Sequence, residues 1–260
     1  MAEQGGLFDA MHRQRPEAVR PPREPGAFDR ATWLALGLGG ALAGVCLAVP
    51  WLRFALSYLT ILIHELGHAV VGWLFGYPSI PAFDFTYGGG ITTAQARSRL
   101  LLGFAYVLWA ALVAANWRDR RRLAASLAGL GLFIACAHTA AHQAIILFMG
   151  HGAELAIAGV FLYRAMSGST VVHEAEHTLY ALCGFFIVFS DIAFAYRLWT
   201  SPAERAAYGA AKGGGHWMDF SQLARQLGLG LPTVAFLFLL GCLLPVALSV
   251  LAHRGYGRRG

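Results

Sequence analysis

The sequence predicts an all-α polytopic membrane protein of six to seven transmembrane helices, with a short β-like re-entrant segment after the second helix. Two observations predict this class. The 260-residue chain is 57% hydrophobic and only 13% charged, with a mean hydropathy of +0.53, far from an ordinary soluble domain. Its apolar residues are grouped in runs close to the about 20 residues that a helix needs to cross a bilayer. We therefore expect an integral, multi-pass membrane protein, of the kind found in a bacterial inner membrane.

The predicted elements follow in chain order. Residues 1–30 are polar and rich in Arg, Pro and Glu, which predicts a disordered tail. A membrane domain covers 31–252, with apolar spans at 31–50, 54–76, 99–117, 123–149, 152–166, 178–199 and 231–252. The span at 152–166 is short, so it is either a half-helix or a tilted continuation of the span before it. The loop at 200–230 carries an apolar stripe typical of an interfacial helix, made of Phe220, Leu223, Ala224 and Leu227. Residues 253–260 form a basic tail.

The charge of the chain indicates membrane lipid as a partner. The net charge of +6 comes from arginine, since Lys212 is the only lysine, and it suits anionic headgroups. No basic stripe with interleaved aromatic residues is present, so nucleic acid is not expected as a partner. Arginines are divided almost evenly between the two faces of a seven-span arrangement, so the positive-inside rule leaves the orientation open. The four cysteines all fall in apolar runs, which indicates neither disulfides nor a thiolate metal site.

The second span contains a metal-binding motif, His64-Glu-Leu-Gly-His68. The two histidines stand four residues apart, so on a helix both imidazoles lie on one face and can bind one ion. Glu65 then lies beside the open position of the metal, where it can take a proton from water. Ionisable residues inside a membrane span are costly and usually mark a functional site. The sequence therefore predicts a metal-binding helix at 54–76.

A segment that cannot be helical follows this helix, at residues 78–93. Pro78 and Pro81 exclude a helix there. Its aromatic residues recur at the two-residue period of a strand, at Phe83, Phe85 and Tyr87. An extended edge beside a metal-binding helix could hold a peptide substrate by strand addition. We expect this segment to be extended and to fold against the metal-binding helix.

The motif, the small and aromatic end of its helix, the Gly76-Tyr-Pro78 step and the glycine-rich β-like segment together resemble the site-two protease family of intramembrane zinc metalloproteases. The resemblance covers about residues 54–95. It implies that His64 and His68 bind zinc and that Glu65 is the catalytic general base. The third ligand of that family is an aspartate in a Leu-Asp-Gly motif on a later helix. This chain has no such motif, so the resemblance is to a divergent member.

Two residues are candidates for the third protein ligand that a catalytic zinc site usually has. Asp191 is the one carboxylate near the middle of the sixth predicted span, at a depth comparable to the motif. His151 has a glycine on each side, which would allow a helix break, and such a break is tolerated where the backbone lines a cavity. Glu154 lies three residues further on and could orient His151 or bind directly. His151 is slightly favoured over Asp191, and both could bind.

Two further histidine pairs have the same four-residue spacing. His138 and His142 lie on one face of the fourth predicted span among small residues, where they could support the metal site or simply pack. His173 and His177 fall in a polar stretch between spans, which favours a solvated loop or a helix cap.

The sequence therefore predicts an intramembrane zinc metalloprotease, or a close derivative of one, that hydrolyses transmembrane or membrane-associated peptides. Three pairs of histidines leave one alternative open, a membrane di-iron oxygenase with histidine boxes acting on lipids. The absence of HxxHH boxes counts against it. Another alternative is a catalytically inactive, protease-like membrane scaffold. The metal distinguishes them, because one zinc per chain favours the protease and two irons favour the oxygenase.

Overall fold

The computed structural model of the protein describes residues 28–83, 89–168, 171–211 and 218–256. These residues are mostly helical, with one two-stranded sheet. The helices are α1 (Arg30–Ala48), α2 (Pro50–Leu74), α3 (Arg99–Ala115), α4 (Arg120–Ala137), α5 (Ala141–Ser167), α6 (Glu174–Thr200), α7 (Pro202–Ala210), α8 (Asp219–Leu227), α9 (Leu231–Gly241) and α10 (Leu244–Tyr256). The strands are β1 (Ser79–Phe83) and β2 (Gly90–Ala94).

Five helical segments of the described chain are long and apolar enough to cross a membrane. They are α1, α2, α5, α6 and the joined pair α9–α10. Many of their large apolar side chains are exposed, as lipid-facing side chains are: α1 alone exposes Trp33, Leu34, Leu38, Leu42 and Val45. The chain is therefore compatible with a multi-pass membrane protein.

The predicted short span at 152–166 continues from the residues before it, and the helix break that the glycines beside His151 would allow does not occur. Helix α5 continues through Gly150 and Gly152 from Ala141 to Ser167, and the chain instead breaks at residues 138–140. The predicted spans at 123–149 and 152–166 are therefore redistributed as α4 and α5. Flanking glycines permit a break but do not impose one, because the backbone hydrogen bonds of the helix still form around them.

The long helices pack around α5 and α6. Helix α2 packs against α5, α1 packs against α6, and α5 and α6 pack against each other. Helix α10 lies along α5, and α9 lies along α6. This arrangement puts the middle of α2 next to the middle of α5, which is where the site is found.

The sheet is an antiparallel hairpin that lies against α2. Ser79 pairs with Ala94 and Phe83 pairs with Gly90, and the indole of Trp73 on α2 donates a hydrogen bond to the carbonyl of Ser79 at 2.7 Å. The prediction that this segment is extended and folded against the metal-binding helix is confirmed for the residues described. Phe85 and Tyr87 lie outside them.

The segment at 200–230 differs from the expected interfacial loop. It contains α7 and α8, with residues 212–217 outside the described part of the chain. Three residues of the apolar stripe on α8 are buried in a core shared with α5, α6 and α9, namely Phe220, Leu223 and Ala224. Leu227 is exposed. The stripe therefore packs into the protein instead of resting on lipid.

The two predicted tails have somewhat different bounds from those expected. The predicted disordered tail at 1–30 lies mostly outside the described residues, and α1 begins at its last residue. Helix α10 extends to Tyr256, four residues into the predicted basic tail.

Candidate metal centre

The imidazoles of His64 and His68 converge on one side of α2. Their Nε2 atoms lie 3.1 Å apart, and their ring planes are nearly perpendicular. The sequence predicts this convergence, because residues four apart on a helix lie on the same face. Both rings point toward α5, and the rings lie against Gly150. A Cβ atom at that position would collide with both imidazoles, so a glycine is required for α5 to approach this closely.

Asp219 supplies the third atom of the cluster. Its Oδ2 atom lies 3.0 Å from His64 Nε2 and 3.1 Å from His68 Nε2. The residue is the first of α8, and the burial of Phe220 next to it fixes the direction of its side chain. Asp219 is not among the residues predicted from the sequence, because it lies outside the long apolar spans, at the start of a short helix. The available signal was its position directly before the apolar stripe of α8, since a packed stripe brings the start of its helix into the protein.

Helix α7 holds the beginning of α8 in place. The backbone N–H of Phe220 donates a hydrogen bond to the Tyr208 hydroxyl at 3.2 Å, which satisfies one of the N–H groups left free at a helix start. Burial and the nearby charge of Asp219 raise the pKa of Tyr208 further above its ordinary value, so its hydroxyl stays neutral. Tyr208 therefore helps to place Asp219 without adding a charge.

Asp219 is held in its anionic form. Burial acts to raise the pKa of its carboxyl, but the hydrogen bonds and charge attraction from His64 and His68 outweigh burial and bring the pKa far below its ordinary value. About a fifth of this side chain is exposed, so water can reach the cluster from this side.

The hydrogen bonds of the two histidines indicate that the cluster suits a cation. His68 Nδ1 lies 2.7 Å from the carbonyl oxygen of Ile146, which can only accept, so a neutral His68 carries its proton on Nδ1. His64 Nδ1 faces the Glu154 carboxylate at 3.5 Å, which favours the same tautomer. In the neutral rings both Nε2 atoms then direct lone pairs at each other and at the Asp219 oxygen, whereas a protonated ring donates a hydrogen bond from Nε2 to Asp219. Three electron-rich atoms in this arrangement repel one another unless a proton or a metal ion lies between them.

The spacing of these three atoms also fits a metal ion. Ligand atoms at 2.0–2.1 Å from a tetrahedral zinc lie about 3.3 Å apart, and the three atoms here are separated by 3.0–3.1 Å. Two imidazoles and a carboxylate are a donor set that zinc accepts. Histidine and carboxylate ligands also suit iron, so the distances alone do not choose the metal. The residues present thus fit a three-ligand site with a further position open.

The other predicted ligands lie on the opposite side of His64. The ring of His151 is 4.6 Å from that of His64, and its Nδ1 atom lies 2.6 Å from Glu154 Oε2 and 3.4 Å from Asp191 Oδ1. His64, His151 and Glu154 could themselves hold a metal ion. However, His64 reaches this second group through Nδ1, whereas Nε2 faces Asp219. The structure therefore places His151 and Asp191 close to the histidine pair but away from the point where the two Nε2 atoms meet.

Glu65 is buried on the same helix and contacts the hairpin. The hydroxyl of Thr92 on β2 donates a hydrogen bond of 2.6 Å to Glu65 Oε2 and also lies 3.1 Å from the Glu65 carbonyl oxygen. Oε1 faces the backbone of Gly90, where a Cβ atom would collide with it. The hairpin thus fixes one carboxylate oxygen and lies directly against the other.

The remaining histidines have partners outside this cluster. The Nε2 atom of His142 lies 2.9 Å from the Tyr77 hydroxyl, and that of His138 lies 2.8 Å from the Tyr106 hydroxyl. His173 stands at the N-cap of α6, while His177 is buried with Nδ1 2.7 Å from the carbonyl of Ala165. None of the four joins a potential metal-binding group among the described residues.

No family model matches this chain, and neither a curated protein nor a solved structure matches it. The functional argument therefore depends on the geometry of the site.

Proposed function

We propose that the protein is an intramembrane zinc metalloprotease, a divergent relative of the site-two protease family, that cleaves transmembrane or membrane-associated peptides. The observation that carries the proposal is the convergence of His64 Nε2, His68 Nε2 and Asp219 Oδ2 to within 3.1 Å of one another, with the buried Glu65 directly following His64 on α2. These three residues would hold the zinc. When bound, zinc would polarise the scissile carbonyl and make water a better nucleophile at neutral pH.

Glu65 is the general base in this proposal. It accepts the proton of the attacking water and returns it to the leaving amine, which is the role of a carboxylate adjacent to a metal-ligating histidine. Thr92 holds Oε2 by its hydrogen bond, and Oε1, which faces the backbone of Gly90, is the oxygen that would handle the proton. Thr92 is therefore a positioning residue.

Glu154 and His151 support the ligands. A metal-bound histidine usually gives its other ring N–H to a carboxylate or a carbonyl, which fixes its orientation. Glu154 has this position for His64, and the carbonyl of Ile146 has it for His68. His151 and Asp191 then hold Glu154 from the far side. The oxygenase alternative receives less support, because the two potential metal groups share His64.

The hairpin is the proposed substrate-binding element, and its hydrogen-bonding pattern selects one edge. The Gln95 N–H donates a hydrogen bond to the Pro78 carbonyl, so Pro78 and Gln95 form a hydrogen-bonded pair. Hydrogen-bonded and non-hydrogen-bonded pairs alternate along an antiparallel register, so Pro81 and Thr92, which lie opposite each other, form a non-hydrogen-bonded pair. The N–H and C=O groups of such residues point away from the partner strand. Pro81 has no N–H to offer, so the outer edge of β1 lacks a donor at this central position. The outer edge of β2 keeps its donors and carries Thr92, so we propose that an extended peptide adds there.

We further propose that the chain has six to seven spans, counting α3 and α4 in addition to the five candidate segments, and that the hairpin is re-entrant. Helix α3 has 17 residues, slightly short of a typical span. The hydrogen bond from the partly buried Thr92 to Glu65 supports a re-entrant hairpin, because Glu65 lies near the middle of a candidate span.

The test is proteolysis by the purified protein in lipid nanodiscs. Fluorophore-labelled casein and a set of single-span model peptides serve as substrates, with the metal content measured on the same samples. The proposal expects one zinc per chain and cleavage that a zinc chelator stops and added zinc restores. Two irons per chain would support the oxygenase. One tightly held zinc with no cleavage of any probe would support the inactive scaffold.

A further inference from the structure

A cavity separate from the metal centre lies where the beginning of α1 meets the ends of α5 and α10. Its volume is about 410 Å³, within the range of small-molecule sites of about 300–1,000 Å³. Its walls are mostly apolar and include Trp33, Leu36, Gly37, Leu162, Phe185 and Val250. None of the residues assigned to the metal centre lines it.

Among the described residues that line this cavity, the polar side chains apart from the indole of Trp33 are Ser249 and Arg254, and they differ in character. The Ser249 hydroxyl donates to the carbonyl of Val246 in its own helix, so its hydrogen-bonding need is already met. Arg254 lies near the end of α10, with its guanidinium 5.8 Å from the centre of the Phe28 ring. Within the described part of the chain no ion pair to Arg254 is found, whereas Arg122 has one with Asp119. The cavity therefore has an apolar body and one cationic end.

The position of this cationic end matches the surface of a bilayer. Arg254 is near the end of a helix long enough to cross a membrane, and Trp33 is near the start of another. Tryptophan and arginine at the ends of membrane helices commonly lie at the level of the lipid headgroups. The apolar walls formed by Leu162 and Val250 then extend toward the hydrocarbon region.

We propose that this cavity binds one acyl chain of an anionic phospholipid, with the lipid phosphate on Arg254. An acyl chain fits the apolar walls, and a phosphate complements the guanidinium both in charge and in hydrogen-bonding shape. The arginines of the basic C-terminal sequence, Arg258 and Arg259, add to the attraction for anionic lipid in the same stretch of chain. The inference does not depend on the proposed protease activity.

The chain offers a matched pair of substitutions to test the cavity. A Cβ atom at Gly37 or at Gly44, both on α1, would meet no atom within 4 Å, so each position tolerates a larger side chain. Gly37 lines the cavity and Gly44 does not. Gly37→Phe therefore fills the cavity, while Gly44→Phe adds the same side chain to the same helix elsewhere. Arg254→Gln removes the cation, and Arg30→Gln removes a nearby charge that does not line the cavity.

The measurement is native mass spectrometry of the full-length protein titrated with dioleoyl phosphatidylglycerol and, separately, with dioleoyl phosphatidylcholine. We expect each chain to have one site of highest affinity, which binds phosphatidylglycerol at least about fivefold tighter than phosphatidylcholine. This ratio is the contribution expected from one arginine near a membrane surface. Gly37→Phe should lose this lipid and Gly44→Phe should keep it. Arg254→Gln should bind the two lipids equally, and Arg30→Gln should keep the preference.

Three results would overturn the proposal. The first is equal binding of the two lipids by the natural protein. The second is identical lipid binding by the two phenylalanine variants, with equal melting temperatures showing that both are folded. The third is a lipid site that appears only after residues 2–27 are removed, which would make the N-terminal sequence the occupant. If Gly37→Phe does not fold, the comparison of Arg254→Gln with Arg30→Gln still tests the proposal, because equal lipid preferences for these two variants would contradict it.

Discussion

The two sides of the His64 ring face two groups of ionisable residues that contain the same kinds of side chain but are organised differently. On the Nε2 side, His68 and Asp219 bring their ligand atoms to one point, and the Asp219 side chain is about a fifth exposed. On the Nδ1 side, Glu154 and Asp191 are each paired with His151. The ring of His151 is further enclosed by the aromatic rings of Phe194, Phe220 and Phe238.

This difference separates a binding group from a supporting group. In the supporting group, Glu154 Oε2 and Asp191 Oδ1 both lie against His151 in a closed aromatic environment, and the Asp191 Oδ2 atom is buried without a hydrogen-bond partner in the described part of the chain. The atoms of the binding group satisfy each other poorly unless a cation is present. The residue types alone would not distinguish the two groups. The partners of the two His64 ring nitrogens, Nε2 and Nδ1, do distinguish them.

The largest expected effect comes from Glu65→Gln, which tests whether the binding group is catalytic. Glutamine keeps the size of the side chain but cannot accept the water proton, so proteolysis should fall by about 10²–10⁴-fold or more. The zinc content should stay at the natural level, because Glu65 is not a ligand. Cleavage of labelled casein and elemental analysis of the same sample check both parts. A variant that loses its metal would instead make Glu65 a ligand.

Substituting the two aspartates separates the binding group from the supporting group directly. Asp219→Asn removes an anionic ligand, so the zinc affinity should fall by more than about 100-fold, beyond the effect of losing an outer partner. Asp191→Asn should change it by less than about 10-fold. Competition with a zinc-binding dye measures both affinities. A larger loss of zinc affinity for Asp191→Asn than for Asp219→Asn would show that Asp191 is the third ligand, which is one of the alternatives predicted from the sequence.

Glu154→Gln should have an intermediate effect. Loss of the carboxylate that faces His64 Nδ1 should weaken zinc binding by about 10–100-fold, the usual cost of removing such a partner. Glu204→Gln, on α7, is the control for the loss of one negative charge. Equal affinities for these two variants would show that the supporting group does not act on the metal.

The smallest expected effect is that of Tyr208→Phe. This change removes the acceptor for the Phe220 N–H and should cost about 1 kcal/mol of the stability of the docked α8. If zinc binds only when α8 is docked, the zinc affinity should fall about fivefold. Tyr196→Phe, at an exposed position on α6, should leave the affinity unchanged. A larger loss for Tyr196→Phe would contradict this role.

The sequence predicts the parts of the protein that repeat a local pattern. The apolar runs predict the long helices, and the spacing of His64 and His68 predicts the convergence of their rings. Pro78 and Pro81 predict the extended conformation of the hairpin. The continuity of α5 through Gly150 is one of two outcomes that the sequence leaves open, because flanking glycines permit a break and the local pattern does not choose between them. Asp219 was missed because its place depends on the burial of Phe220 in a tertiary contact.

The placement of Asp219 on a short helix has a consequence for the mechanics of the whole chain. His64 and Asp219 are 155 residues apart in the sequence. An ion held by both would act as a removable cross-link that closes a loop containing most of the protein. Closing so long a loop restricts the unfolded chain much as a disulfide does. Chelation should therefore leave the long apolar helices intact and release α8 first, exposing Phe220 and Leu223 to protease before the rest of the fold opens.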